Sequence, residues 1–194
     1  MSFRLTTVSL VVFCGFVPIA QADCKSDIQN ILQAMETNGP YRMEMTSSSD
    51  GADTVMQAEI IMPHSMKMKA EGMEMVMTPN GVWMAQGGKL KKMPDGMKEQ
   101  MQAMIQQGIS LGLNAVEDAQ CQGSTTFEGG TFDFYKYIAN VEFMGIKTSS
   151  KIDMYVNDDN KAEWLVVDGE AMGVKSHTKQ HIIYDDSITI ADPQ

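Results

Sequence analysis

The chain has 194 residues, a formal charge of −10 and 43% apolar residues, which suits one domain with a real core rather than two. So acidic a surface argues against nucleic acid or an anionic membrane as a standing partner.

The first 22 residues read as a secretory leader: Arg4 lies in a short basic start, "LTTVSLVVFCGFVPIA" follows as an apolar run, and Ala20, Gln21 and Ala22 form a small-x-small cleavage site. Pro18 and the shortness of the run argue against a retained anchor. Neither Cys14 nor Cys24 has the small residues before it that a lipid attachment site needs. Cleavage after Ala22 leaves a single domain over 23–194, periplasmic in location, with 14 basic against 25 acidic residues. Two cysteines remain, Cys24 and Cys121, and an oxidising compartment predicts one disulfide between them.

"CKSDIQNILQAMETNG" sets Ile28, Ile31, Leu32 and Met35 on one helical stripe, with Ser26 suited to cap it and Gly39 to stop it. From Pro40 the period falls to two. "YRMEMTS", "VMQAEIIMP", "SMKMKAEG", "GMEMVMTP" and "VWMAQGG" read as half-buried strands joined by turns, an antiparallel meander. "PDGMKEQMQAMIQQGISLGLN" breaks this pattern, because Met97, Met101, Met104, Ile105 and Leu111 recur at helical steps. Gly108 and Gly112 weaken that second helix by roughly 1 kcal/mol each relative to alanine, so the segment from Met97 to Leu113 is expected to act as a lid. Strands resume beyond Cys121 and continue to a last segment, "SITIADP". The predicted order is helix, four or five strands, helix, five or so strands.

Catalytic signatures are missing from the sequence: no G-x-S-x-G, no phosphate-binding glycine loop and no H-E-x-x-H. His177 and His181 in "HTKQH" would share a metal on a helix, about 6 Å apart along the axis, but the local pattern is strand, where four residues span ~13 Å. A structural or solvent-facing role is the expectation for both. His64, between Met62 and Met66, reads as a turn residue. No enzyme and no cofactor are expected.

Methionine is the strong compositional signal, since 15 of 19 lie between Met35 and Met104. On strand spacing Met66 and Met68 share a face, as do Met73, Met75 and Met77 on the next strand, while Lys67, Lys69 and Glu74 point the other way. Met43 and Met45 repeat this on an earlier strand, and Met97, Met101 and Met104 on the helix. These residues, with Trp83, are the candidate ligand wall. Three readings compete: a plain core, a thioether site for Cu(I), and a deformable apolar surface for an acyl chain. Alternation with charge turns the methionines inward, which favours the apolar wall over an exposed copper site.

The order of parts resembles bacterial outer-membrane lipoprotein carriers and their relatives, the LolA-like and LolB-like proteins. "MPHSMKMKAEGMEMVMTPNGVWMAQ" is similar to their Pro-started strand pair and Gly-x-Trp hairpin, "MYVNDDNKAEWLVVDGE" to their paired late strands, and "YDDSITIADP" to their terminus. The resemblance implies an α+β fold: a strongly curved antiparallel sheet forming an unclosed half-barrel, an N-terminal helix, and a mid-chain helix covering the concave face. It implies a non-catalytic binding protein whose partner is a lipid, an acylated protein or another hydrophobic ligand, with transient contact to a membrane-bound donor or acceptor. The family's acyl-chain arginine has no counterpart, because Arg42 is the sole arginine after the leader. Ferrying of lipoproteins in particular therefore does not follow from the likeness.

Overall fold

The computed structural model describes residues 21–143 and 146–193. The expected leader lies outside the described residues up to Ala20, and Gln21 and Ala22 open the first helix. The elements run α1 (Gln21–Ala34), β1 (Tyr41–Ser49), β2 (Ala52–Ile61), β3 (Ser65–Ala70), β4 (Met73–Thr78), β5 (Gly81–Gln86), β6 (Lys89–Lys92), α2 (Met97–Asn114), β7 (Val116–Phe127), β8 (Gly130–Phe143), β9 (Ile146–Val156), β10 (Ala162–Ala171) and β11 (Val174–Tyr184). No helix among the described residues is long and apolar enough to cross a membrane.

All eleven strands form one antiparallel sheet in the order β6-β5-β4-β3-β2-β1-β11-β10-β9-β8-β7. Two meanders, β1 to β6 and β7 to β11, are joined in sequence by α2. They meet through nine register pairs between β1 and β11, from Tyr41 with Tyr184 to Ser49 with Ser176. Strands β6 and β7 each have one neighbour, so the sheet stays open. It is also curved. From β3 to β7 the order covers seven strand spacings, about 34 Å if flat, and a helix is only ~10–12 Å across. Yet Met66 of β3 and Val116 of β7 belong to one apolar cluster with Cys24, Ile28 and Ile31 of α1. Only a sheet bent around the helix brings both of its sides to that cluster, giving the α+β half-barrel expected from the sequence.

Helix α1 is bound tightly into this fold. Ile28 and Ile31 are 0% and 1% exposed, Leu32 and Met35 pack beside them, and Cys24 is bonded to Cys121 in β7 with a Cα–Cα distance of 5.5 Å. The disulfide predicted from cysteine count and compartment is present.

Three details differ from the sequence reading. β6 was not foreseen, because "KLKK" has three lysines in four residues and none of the apolar alternation that marks a strand. As an edge strand it takes its hydrogen bonds from β5, and its lysines oppose pairing with another chain. β7 begins at Val116, ahead of Cys121, since Ala115 ends α2 and the chain passes straight into the sheet. "SITIADP" is no strand. Asp185 accepts hydrogen bonds from the backbone N–H and hydroxyl of Ser187, a turn that takes the chain off the ladder.

Candidate functional site

The β-ladder register decides which side chains share a face. Met43 pairs with Ala58, Ala58 with Met68, Met68 with Met75, and Met75 with Met84, which makes a continuous row across five strands. A second row, Tyr41, Ile60, Met66, Met77 and Val82, lies on one side of it. A third, Met45, Met56, Ala70 and Met73, lies on the other. Lys67, Lys69 and Glu74 fall on the opposite face, where Lys69 and Glu74 form an ion pair at 3.5 Å.

The three rows face the helices. Met101 and Ile105 of α2 pack against Met75, Met77 and Val82, joined by Met66, Met68, Met84 and Met93. Burial grades across the wall: Met75 and Met77 are 5% and 1% exposed, whereas Met73 is 48% exposed. Met43, Met45, Met66, Met68 and Met84 are half-buried. Between α1, α2 and the second row lies a small apolar cavity of about 170 Å³, lined by Leu32, Met35, Tyr41, Met62 and Leu113 among others. Burial pushes the Tyr41 hydroxyl up to about 12, with Tyr184 beside it acting in the same direction, so this wall stays uncharged at physiological pH.

Most of the predicted wall is thus brought together: Met43, Met45, Met66, Met68, Met73, Met75 and Met77 share the helix-facing side, and Met101 rests on it. Met97 is half-buried in the first turn of α2. Met104 is 57% exposed, and Ile105 takes the packing position instead. Trp83 is on the other face. It pairs with Val76 and Lys92, is 8% exposed, and has the Lys92 ammonium 5.6 Å from its ring. The residue that β5 gives to the wall is Met84, one position on, and period two starting from Val82 would have found it. Met56, in the third row, and the cavity residues Leu32 and Met62 were not among the candidates: the stripe of α1 gave Leu32 a core role, and Met56 and Met62 lie outside the stretches where methionine alternates with charge.

The C-terminal segment crosses to the face that carries Trp83. Asp192 accepts hydrogen bonds from the Thr78 hydroxyl at 2.5 Å and from the Asn80 amide at 2.8 Å, and Thr78 is only 2% exposed. The Thr78 and Asn80 hydrogen bonds hold the Asp192 carboxyl below the usual carboxylate range. A lowered folded value means that this tether is complete above the ordinary carboxylate range and is lost as pH falls through the folded value. Backbone mobility of residues 188–192, read by NMR relaxation, is expected to be low at neutral pH and higher in acid, and Asp192→Ala should raise it at neutral pH. Equal mobility of both proteins at neutral pH would show that the segment is not held there.

The histidines do not converge. His177 bonds Asp168 at 2.7 Å, His181 stacks on Trp164 at 3.8 Å with the rings 2° from parallel, and His64 is exposed in the β2–β3 turn. Among the described residues no group of three or more His, Cys, Asp or Glu is placed to hold a metal ion.

No protein-family model and no curated protein matches this chain. The crystal structure of the Mycobacterium tuberculosis lipoprotein LppX superposes with a TM-score of 0.55 at 8% identity, covering 89% of this chain and 100% of its own. The chain shares its fold. LprF from Mycobacterium bovis is similar in the same way, with a TM-score of 0.51 at 10% identity over 89% of this chain and 98% of its own. At such identities the likeness speaks for the half-barrel alone, and what the concave face holds must be argued from the residues on it.

Proposed function

We propose that this protein is a non-catalytic carrier, exported to the cell envelope, that holds an apolar or acylated ligand against its methionine-lined concave face. The observation that carries this reading is the ladder register, which sets three apolar rows side by side, two of them packed under α2 and the third open at Met73. Unbranched thioethers re-pack around chains of varied shape where leucine or valine would fix one shape. Export is supported by the leader-like start of the sequence, by the Cys24–Cys121 disulfide, and by a fold shared with a protein named as a lipoprotein.

A Cu(I) carrier is the second reading, favoured by the direct pairing of Met66 with Met77 and of Met68 with Met75. One variant separates the two. Replacing Met66, Met68, Met73, Met75 and Met77 with leucine keeps size and apolarity and removes the sulfur. The leucine variant, apolar and of similar volume at each position, is expected to keep the parent's affinity for a fluorescent fatty acid. Under reducing conditions the parent is expected to bind no Cu(I) below the micromolar range. Tight Cu(I) binding by the parent, lost in the variant, with no uptake of the fluorophore by either, would replace the lipid reading with the metal one.

A further inference from the structure

The Met43-to-Met84 row does not stop at β5. Met84 pairs with Lys91 in the edge strand β6, and Gln86 pairs with Lys89, so both lysines share the face of the methionines. Lys92 alternates to the other side, over Trp83. Lys89 and Lys91 are exposed, and among the described residues neither side chain has an ion pair, hydrogen bond or ring contact. Their neighbours differ in this respect: Lys69 is paired with Glu74, and Lys98 is bonded to the Pro79 carbonyl and lies near Glu99. In a chain of charge −10 an anion is repelled by the general field. What sets these two unpaired cations apart is their position, at the end of an apolar row and on its face.

Length restricts what fits between them and the far end of the row. From Met84 to Met43 the row crosses four strand spacings, ~19 Å. Half of a ~30 Å bilayer core, ~15 Å, is the reach of one acyl chain. The row is covered where Met101 and Ile105 of α2 pack on Met75. With α2 displaced it takes one chain lengthwise, and Lys91 and Lys89 then stand where the headgroup ends.

We infer that the ligand is a single-chain amphiphile with an anionic headgroup, its acyl chain along Met84, Met75, Met68, Ala58 and Met43 and its carboxylate or phosphate at Lys89 and Lys91. This rests on the carrier reading and adds the headgroup and the direction in which the ligand lies. The lysine ammonium suits the task as a mobile, hydrated point charge that accepts headgroups of varied geometry. The bland alternative is that these lysines only guard the sheet edge against pairing with another chain.

Displacement of an apolar fluorophore tests this with three ligands of equal chain length, a fatty acid, a monoacyl phosphate and a fatty alcohol, at neutral pH and low salt. Both anions are expected to bind on the order of tenfold more tightly than the alcohol, a preference reduced by salt. In the Lys89→Gln/Lys91→Gln double variant the preference should vanish while affinity for the alcohol stays the same. The alcohol is thus also the control for a folded, working apolar face. A phosphate advantage over the fatty acid would assign the headgroup to the phosphate class, and equal binding would show that one carboxylate suffices. Equal affinity of all three ligands in the parent would overturn the headgroup site and leave the carrier reading standing. So would an anion preference that survives in the double variant, since the cation would then lie elsewhere. Failure of all three to displace the fluorophore would remove the carrier reading, and the headgroup site with it.

Discussion

Replacing Cys24 and Cys121 with alanine is expected to lower the unfolding free energy by about 4 kcal/mol and the melting temperature by on the order of 10 °C. The bridge closes 97 residues of sequence, so reducing it releases a long loop into the unfolded ensemble. The native state also depends on it. α1 has 14 residues, too few to be stable as an isolated helix in water, and its place in the fold comes from Cys24, Ile28 and Ile31 on one buried stripe. Alanine is the fitting replacement because serine would bury a hydroxyl at position 24, which is 2% exposed. Urea denaturation of the oxidised parent and of the double alanine variant measures the difference. Thiol labelling of the unfolded, unreduced parent should give no signal, and two labelled cysteines in freshly exported protein would dispose of the bridge and of the stability attributed to it.

How far the sequence revealed this molecule depended on the physical signal each residue carries. Period-two alternation is strong where one face is charged and the other apolar, as in "SMKMKA" and "MEMVMT", and there both strand and inward face were legible. In "GVWMAQ" both faces carry apolar side chains, Val82 and Met84 on one and Trp83 and Ala85 on the other, so alternation gave no parity and Trp83 was placed on the wrong wall. The crossing of the C-terminal segment was illegible because the contact between Asp192 and Thr78 spans 114 residues and leaves no local trace. Strand β6 was hidden because it exists by pairing with β5 and not by burying a face of its own. For His181, the strand period correctly separated it from His177, but only the fold could show that its ring lies flat on Trp164, across the β10–β11 ladder.

Amide hydrogen exchange is expected to divide the two helices. α1 should exchange with the sheet, whereas residues 101–110 of α2 should exchange on the order of 100-fold faster and slow down when an acyl ligand is added. The contrast is in the packing. Cys24, Ile28 and Ile31 of α1 are at most 2% exposed, but no described side chain of α2 is fully buried. Its apolar residues Met101 and Ile105 rest on Met75, Met77 and Val82, the surface a ligand would occupy, so ligand and helix compete for one wall unless the helix moves. The ends are held better than the middle: Lys98 donates to the Pro79 carbonyl at 3.0 Å, and Gln29 to the Leu113 carbonyl at 2.8 Å. The first turn begins at Gly96, in the left-handed region at φ 93°, with no side-chain cap. Gly112 offers a graded test, because its backbone is helical and a Cβ built there meets nothing within 4 Å. Gly112→Ala should stabilise the closed helix by up to ~1 kcal/mol, slowing exchange in α2 about fivefold, and should slow ligand association by a similar factor while leaving the sheet unchanged. Stopped-flow uptake of the fluorescent fatty acid, measured beside exchange, links the two rates. If α2 is as protected as β1 and β11 with and without ligand, and Gly112→Ala leaves uptake unchanged, the helix is a fixed part of the core. The ligand must then enter through the open side of the sheet beside Met73.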